Sequence, residues 1–490
     1  MTPAVRSLPL AALLASMLTS TGCPGGDVPV IEPPEVPPIY DVPVDDSWQL
    51  AGLGNTVHVV TTEYGVPHVY AHDEEDLARV VGFVTARDRY FMMDLARRLM
   101  RGQTAALIGD DALTTDIESR TTGTTRVLDN LMASLTDDER VRMQAYADGV
   151  NAYIDAAAAG ELPLPSELAL AAGLLGADDP VELMLPFEVK DVASVGSLVL
   201  YESSYETTPL SYQRTLESFD GLFAGAPLEE LRRTGAQQDI FENVVPAVPI
   251  SSADGWGVDG DLPDATSARP SYRGLDAESG LLDRAIRHGD HLATAMGRPY
   301  GRDRGSNSWA IGPEHTASGH ALLGSDGHLD LTIPSFFIRL HTNTTVLGDG
   351  DLDVIGITVP GMPLVGQGHN GRVAWGQTQH SGDINDYYLE QLILDADGAP
   401  ASTLFQGEQK EVVAIAEQYE SAVVPLLGSE GGSFTIDRYE TWDGRALVSV
   451  EGTEVSDPDD VTLEPGESLI NINGDWLIPG DVDADGVVQA

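Results

Sequence analysis

The chain has 490 residues, with 27 Lys and Arg against 77 Asp and Glu, which gives a formal net charge of −50. This excess of acid is repelled by phosphate backbones, so the composition disfavours nucleic acids and anionic membrane surfaces as partners. The 42% hydrophobic and 21% charged residues are typical of a folded globular protein, and the single cysteine excludes a disulfide framework and cysteine-rich metal sites.

The N-terminus predicts export. Residues 1–22 place one Arg before an apolar run at residues 8–18 and end in small residues, which is the layout of a secretory signal peptide. The run is too short to span a bilayer. The sequence STGC follows the run at residues 20–23. It resembles the end of a bacterial lipoprotein signal and implies lipidation of Cys23. Residues 23–50 predict a Pro-rich tether. We therefore expect a periplasmic or cell-surface lipoprotein of a bacterium.

The first predicted element after the tether is a β-hairpin. β-Branched runs at residues 57–60 and 66–70 flank the turn EYG at residues 63–65. Within it, His68 and His72 are four residues apart, but on a strand this spacing does not create the shared face that a helix provides. We expect both to be satisfied surface histidines rather than metal ligands.

Two helices and a β-rich region follow. Apolar residues at helical spacing over residues 76–100 predict the first helix, and Thr136 with Glu139 forms a capping box for the second. Both helices are expected to pack in the core. Residues 246–305 are dominated by Pro, Gly, Ser and Asp and predict a linker. After them, short alternating runs in residues 306–395 predict a β-rich core.

The local signatures of common enzymes are absent from the sequence. It has no G-x-S-x-G elbow, no H-E-x-x-H pair, no P-loop and no G-x-G-x-x-G after a strand. The common hydrolase, metalloprotease and nucleotide-binding interpretations therefore lack support. The segment that remains is RGSNSWAIG at residues 304–312.

This segment and several others, all in the same order, resemble the penicillin acylase family of N-terminal nucleophile hydrolases. The similar segments are EYGVPH at residues 63–68, ARDR at 86–89, LARR at 95–98, YADGVN at 146–151, LGSDGHL at 323–329 and GHNGRVAWG at 368–376. The resemblance covers residues 55–155 and 303–415, and it places the predicted linker where the family has its spacer.

The resemblance implies an α+β fold, specifically the four-layer αββα N-terminal nucleophile hydrolase fold. It implies a helical small-chain region at residues 51–245, a spacer at residues 246–305 and a large-chain region at residues 306–490, with the two chains forming a heterodimer. Family precursors continue further, so we expect the chain to be C-terminally truncated relative to the family.

The resemblance also implies a zymogen that cuts itself at a Gly-Ser type bond. The matching bond is Gly305–Ser306, and Ser306 would then attack the amide and form an acyl-enzyme. A Ser hydroxyl needs a base within hydrogen-bond reach, and its own new α-amino group, with an ordinary pKa of about 7.7–8.0, can serve. By resemblance, His328 contacts the nucleophile, the backbone N–H of Gln379 supplies an oxyanion donor, and Leu329 helps to line the acyl pocket.

Calcium is the one cofactor that the resemblance implies, and it implies no organic cofactor. Asp383, Asn385 and Asp386 match the family's calcium loop, with Glu206 as the candidate small-chain ligand and Glu202 as the second choice. Their oxygen atoms suit Ca²⁺, which is a hard ion. A solvated acidic turn is the alternative.

The sequence thus predicts an exported, self-processing hydrolase acting on a linear amide. The candidate substrates are a β-lactam side chain, as in antibiotic metabolism, an acyl-homoserine lactone or a similar N-acyl compound. Two alternatives stay open. One is a truncated, catalytically inactive, acidic calcium-binding lipoprotein of the same fold, and the other is a conventional serine hydrolase whose triad is scattered along the chain.

Overall fold

In a computed structural model of the chain, helices occupy the first half and strands dominate the second. The structure describes residues 39–121, 124–175, 179–204, 306–329, 332–378, 386–388, 392–396, 399–405, 408–444, 446–451 and 474–480. The predicted signal peptide and spacer lie outside these ranges. The chain divides into two compact units, Met1–Gln49 and Leu50–Ala490. In the first, Ile39–Asp41 forms a single 3₁₀ turn.

The described part of the first 204 residues contains seven α-helices. They are α1 Glu74–Arg101, α2 Ala105–Ile108, α3 Leu113–Thr121, α4 Thr124–Ser134, α5 Asp137–Ala158, α6 Ser166–Leu175 and α7 Val189–Ser204. The two predicted helices are confirmed as α1 and α5. Asp73 caps the start of α1, and the capping box between Thr136 and Glu139 is formed at the start of α5. None of the helices in the described ranges is both long and apolar enough to cross a membrane.

Helices α1 and α5 form the centre of the helical core. One apolar face of α5 is buried at Ala147, Val150 and Ile154. The backbones of the two helices approach each other closely at Gly149, where an added Cβ would overlap the carbonyl oxygen of Arg79. Only glycine, which has no Cβ, permits this approach, so the glycine at position 149 sets the distance between the two helices.

Strands make up most of the remaining described residues. They are β1 His58–Thr61, β2 Pro67–Tyr70, β3 Ser306–Ile311, β4 Leu322–Gly327, β5 Ile338–Asn343, β6 Asp353–Thr358, β7 Gln367–His369, β8 Ala374–Trp375, β9 Asp386–Tyr388, β10 Leu392–Leu394, β11 Pro400–Phe405, β12 Glu408–Ser421, β13 Gly432–Thr441, β14 Ala446–Glu451 and β15 Gly474–Gly480. The predicted hairpin is confirmed as β1 and β2, which pair antiparallel. Helices and sheets together confirm the α+β class.

Three sheets organise these strands. A six-stranded sheet has the order β1-β2-β5-β6-β7-β8, a seven-stranded sheet has the order β10-β11-β12-β13-β14-β15-β9, and β3 pairs with β4. Within the six-stranded sheet, β2 and β5 are parallel. Because β2 precedes the predicted spacer and β5 follows it, this pairing joins the predicted small-chain and large-chain regions.

The seven-stranded sheet also contacts the helical region through polar groups. The Asp110 carboxylate accepts hydrogen bonds from the Ser421 hydroxyl and from the backbone N–H of Glu430. Arg120 pairs with Glu417 at 3.3 Å and places its guanidinium over the ring of Tyr419. The long β12–β13 hairpin is therefore fixed to the loop after α2 and to α3.

A buried charge cluster connects α1 with α7. Arg97 donates to the Asp94 carboxylate at 2.6 Å and to the Asp191 carboxylate at 3.2 Å, and Arg98 donates to Asp94 at 2.7 Å. The Arg97 guanidinium also stands 4.1 Å from the centroid of the Phe187 ring. Each charge in the cluster has an opposite partner, which is the condition for burying ions in a protein.

Candidate functional site

The predicted nucleophile lies at the start of a strand. Ser306 is the first residue of β3 and pairs in register with Gly327, the last residue of β4. The preceding Gly305, which contributes the other half of the predicted scissile bond, lies outside the described residues. An end of a strand is a suitable place for a group that must be reached by a substrate, since the backbone can leave the sheet there.

The predicted histidine lies next to the register partner of Ser306. His328 follows Gly327, and its Nε2 is 2.8 Å from the side-chain Nδ2 of Asn307 and 3.6 Å from an Asp326 carboxylate oxygen. The backbone N–H of Asn307 donates to the same carboxylate at 3.2 Å. The hairpin thus brings Ser306 and His328 to neighbouring strand ends. The contact of His328 with the nucleophile stays a prediction.

The segment after β8 passes directly against β4. A Cβ added to Gly376 would overlap the side chain of Ser325, and the Ser325 hydroxyl lies 3.5 Å from the carbonyl oxygen of Gln377. Ser325 pairs in register with Ser308, two residues from Ser306. The predicted oxyanion donor Gln379 follows this segment but lies outside the described residues.

The β3–β4 hairpin is exposed, unlike the buried β-rich core expected from the sequence. Trp309 and Leu322 are more than half exposed, and Ile311 and Leu329 are each more than a third exposed. The reason is topological: β3 pairs only with β4 among the described strands.

A cavity of about 310 Å³ opens between three elements close to this hairpin. Its walls come from the β1–β2 turn, from the middle of α1 and from the segment that enters β5. The lining residues are Tyr64, Gly65, Val66, Pro67, Val84, Thr85, Asp88, Arg89, Ser335, Phe337, Ile338 and Arg339. The Phe337 ring also lies 4.0 Å from the position that a Cβ on Gly327 would occupy. One wall residue therefore neighbours the register partner of Ser306.

Two histidines and an aspartate form a second polar cluster on the six-stranded sheet. His68 and His341 are register partners whose Nδ1 atoms are 2.9 Å apart, and His341 Nε2 is 2.8 Å from the Asp353 carboxylate. Burial and the neighbouring His341 lower the pKa of His68. Burial raises the pKa of Asp353, but hydrogen bonds from His341 and Asn343 outweigh burial and hold it below its usual value.

The predicted calcium ligands and the lipidation site fall mostly outside the described residues. Cys23, Glu206, Asp383 and Asn385 lie outside them, and of Asp386, at the start of β9, the structure describes the backbone alone. Among the described side chains, no group of three or more His, Cys, Asp or Glu residues could hold a metal ion. The calcium site stays a prediction.

Sequence reasoning missed the cavity and the histidine pair. His68 has a hydrogen-bond partner, as predicted, but it is half-buried rather than on the surface. The available signal was the alternation of Pro67 and Val69 with His68 and Tyr70 along β2, which indicates a strand with one covered face, and the structure buries Pro67 and Val69 and half-buries His68 and Tyr70. The partner His341 is 273 residues away, and spacing along the chain cannot reveal such a pair.

Comparison with known proteins identifies relatives. Residues 56–447 match the model of the penicillin amidase family. Penicillin acylase 2 proenzyme of Pseudomonas sp. (strain SE83) is 32% identical over 358 residues, covering 72% of this chain and 40% of that protein. Acyl-homoserine lactone acylase QuiP of Pseudomonas fluorescens (strain Pf0-1) is 27% identical over 400 residues, covering 78% of this chain and 40% of that protein.

Two further matches are penicillin G acylases. The protein from Escherichia coli is 25% identical over 442 residues, covering 84% of this chain and 48% of that protein. The solved structure of a thermostable penicillin G acylase from Alcaligenes faecalis matches with 29% identity and a TM-score of 0.30, covering 38% of this chain and 90% of that chain. The chain spans less than half the length of the three curated relatives.

Proposed function

The chain belongs to the penicillin amidase family, whose model matches residues 56–447, and on that premise we propose that it hydrolyses the amide bond of a linear N-acyl substrate. The relatives named penicillin acylase and acyl-homoserine lactone acylase support this reaction class. The proposed fold is the family's four-layer arrangement of two sheets between helices, assembled from small-chain and large-chain regions.

The proposed nucleophile is Ser306, released by cleavage of the Gly305–Ser306 bond. The observation that carries this proposal is the position of Ser306 at the first residue of β3, paired with Gly327, the residue before His328. After cleavage the new α-amino group, with an ordinary pKa of about 7.7–8.0, is partly unprotonated near neutral pH and can accept the hydroxyl proton.

The catalytic cycle follows from that nucleophile. The Ser306 oxygen attacks the acyl carbonyl, the amine leaves with a proton, and water then releases the acid from the ester. The tetrahedral intermediates require N–H donors placed in advance, and the loss of one such donor costs about 100- to 1000-fold in rate. We assign one donor to the backbone of Gln379, because the segment that leads to it lies against β4 at Gly376.

A denaturing gel with N-terminal sequencing tests the proposal. The expressed chain should yield a fragment that begins at Ser306, while the Ser306→Ala variant should stay intact. The processed protein should then release p-nitroaniline from a panel of aromatic and aliphatic acyl p-nitroanilides. A wild-type chain that remains whole, or a new terminus at another residue, contradicts the assignment.

A second candidate is a non-catalytic, calcium-binding lipoprotein of the same fold. The exposure of Trp309 and Leu322 on the hairpin that carries Ser306 favours it, because electrostatic catalysis is strongest in a site closed from water. Correct cleavage without turnover of any acyl amide, together with a higher melting temperature in calcium, would support this candidate over the first.

Calcium binding and export complete the proposal. The predicted ligands would bind one structural calcium ion through side-chain oxygen atoms, which are the donors that Ca²⁺ requires. They are Asp383, Asn385, Asp386 and Glu206. Calcium should raise the melting temperature of the wild type but not that of an Asp383→Ala variant. Export with a lipid on Cys23 predicts that the Cys23→Ser variant leaves the membrane fraction.

A further inference from the structure

The cavity beside α1 is lined by two arginines that have no carboxylate partner among the described residues. Among the arginine side chains that the structure describes, most are ion-paired, as Arg79, Arg97 and Arg438 illustrate. Arg89 donates to the carbonyl oxygen of Asp88, and its Nε, which is enclosed by protein atoms, has no hydrogen-bond partner among the described residues. Arg339 makes no ion pair with any described carboxylate. Both arginines line the same cavity of about 310 Å³.

This arrangement is unusual in a chain with a net charge of −50. Acidic groups outnumber basic ones almost three to one, yet the half-buried Arg89 and the exposed Arg339 both line this cavity and neither is ion-paired with a described carboxylate. The third charged residue on the cavity wall, Asp88, is paired with Arg87 at 3.1 Å. The positive charge of the cavity is therefore not balanced by its own walls.

A carboxylate matches the planar donor set of arginine. The rest of the wall is suited to an organic ligand, with the aromatic side chains of Tyr64 and Phe337 and the aliphatic side chain of Val84. The volume is at the lower end of the roughly 300–1,000 Å³ range of small-molecule sites.

We propose that this cavity binds the carboxylate of a small organic acid, with Arg89 and Arg339 as the anion-binding residues and the aromatic wall in contact with the apolar part of the ligand. The carboxylate has two possible sources: a charged group of the substrate itself, or a separate acid that acts as an effector. The site goes beyond the proposed amide hydrolysis and does not depend on Ser306.

Calorimetry with benzoate and its uncharged counterpart benzamide tests the site on the full chain. We expect benzoate to bind roughly 10- to 100-fold more tightly than benzamide, as charge-assisted hydrogen bonds predict. Arg339→Gln should weaken benzoate binding by a similar factor and leave benzamide unchanged. Arg89→Lys keeps the charge but loses the planar donors, so it should also weaken benzoate binding.

The matched control is Arg140→Gln. Arg140 is exposed and lies on α5 outside the cavity, and among the described residues its side chain bonds to the carbonyl oxygen of Met132 alone. Its replacement by Gln removes one positive charge, as Arg339→Gln does. It should leave benzoate binding unaltered. Equal affinities for benzoate and benzamide, or equal weakening by Arg140→Gln and Arg339→Gln, would overturn the proposal.

A kinetic measurement separates the two sources. If benzoate competes with an acyl p-nitroanilide that carries a terminal carboxylate, the cavity holds the substrate's own anion. If benzoate alters turnover without competing, the cavity holds an effector. A chain that hydrolyses no amide refutes the proposed function alone, because the calorimetric comparison still decides whether the carboxylate site exists.

Discussion

His68 and His341 face each other across the parallel strands β2 and β5, with their Nδ1 atoms 2.9 Å apart. A hydrogen bond between two ring nitrogens needs one donor and one acceptor, so the facing nitrogens cannot both carry a proton. His341 also meets Asp353 through its other nitrogen, at 2.8 Å. The pair thus couples protonation to the contact between the predicted small-chain and large-chain regions.

This contact predicts a loss of stability in mild acid. The folded state holds the pKa of His68 below its ordinary value of 6.5, so below that pH the unfolded chain binds a proton that the folded chain accepts only at lower pH. The free energy of unfolding should therefore fall as the pH drops below 6.5, with a slope of at most about 1.4 kcal/mol per pH unit for one site.

Urea unfolding at a series of pH values, with a His68→Gln variant, measures this effect. Glutamine can still hydrogen-bond to His341 but does not titrate, so the acid slope should become shallower. His320→Gln is the control, because His320 is exposed on the turn before β4. A wild-type slope that persists in the His68 variant assigns the pH dependence to another group.

The buried cluster around Arg97 predicts a large stability change. Replacing Arg97 with Ala removes one ion-pair partner from each of the buried carboxylates Asp94 and Asp191. Asp94 then keeps Arg98 and Asp191 keeps Arg101. Breaking a buried ion pair in this way costs about 3–5 kcal/mol. Denaturant unfolding should show that loss.

The exposed pair of Lys190 and Asp129 provides the comparison. The Lys190 Nζ and an Asp129 carboxylate oxygen are 2.6 Å apart, the same distance as between Arg97 and Asp94, but the Asp129 side chain is 67% exposed. Lys190→Ala should therefore lower the free energy of unfolding by less than about 1 kcal/mol. Similar losses for the two variants would show that burial does not govern the energetics of these pairs.

The close approach of α1 and α5 predicts that Gly149→Ala is destabilising. The added methyl group would overlap the Arg79 carbonyl oxygen, and the helices must separate to accommodate it, at a cost of about 1–3 kcal/mol. In α6, Gly173 has open space around its Cβ position, so Gly173→Ala should raise stability by up to about 1 kcal/mol. Thermal unfolding distinguishes the two results by sign.

Local sequence signals predicted the elements that depend on local physics. The capping box at Thr136 and Glu139 and the apolar spacing over residues 76–100 each identified a helix, because both patterns act within a few turns of the chain. The turn at residues 63–65 located the hairpin for the same reason. Motif order was sufficient to predict the family.

Relationships between distant residues were beyond these signals. The parallel pairing of β2 with β5 joins residues on opposite sides of the predicted spacer, and no periodicity encodes such a partner. The same holds for Asp110, whose partners on and after β12 are more than 300 residues away. The cavity was missed because its walls come from three separate segments, although Arg89 belongs to a motif that the sequence had singled out.

The contact of Gly376 with β4 predicts a selective effect on catalysis. In Gly376→Ala, the new methyl group would overlap Ser325 and displace the segment that leads to Gln379. A displacement of about 1 Å at a catalytic donor can lower turnover by about 100-fold, so acyl p-nitroanilide hydrolysis should fall by that order while the melting temperature changes little. Gly366→Ala is the matched control, because its Cβ would meet only the Ile357 carbonyl oxygen at 3.7 Å, an ordinary contact distance. If both variants hydrolyse the substrate at the wild-type rate, the segment after β8 does not position the oxyanion donor.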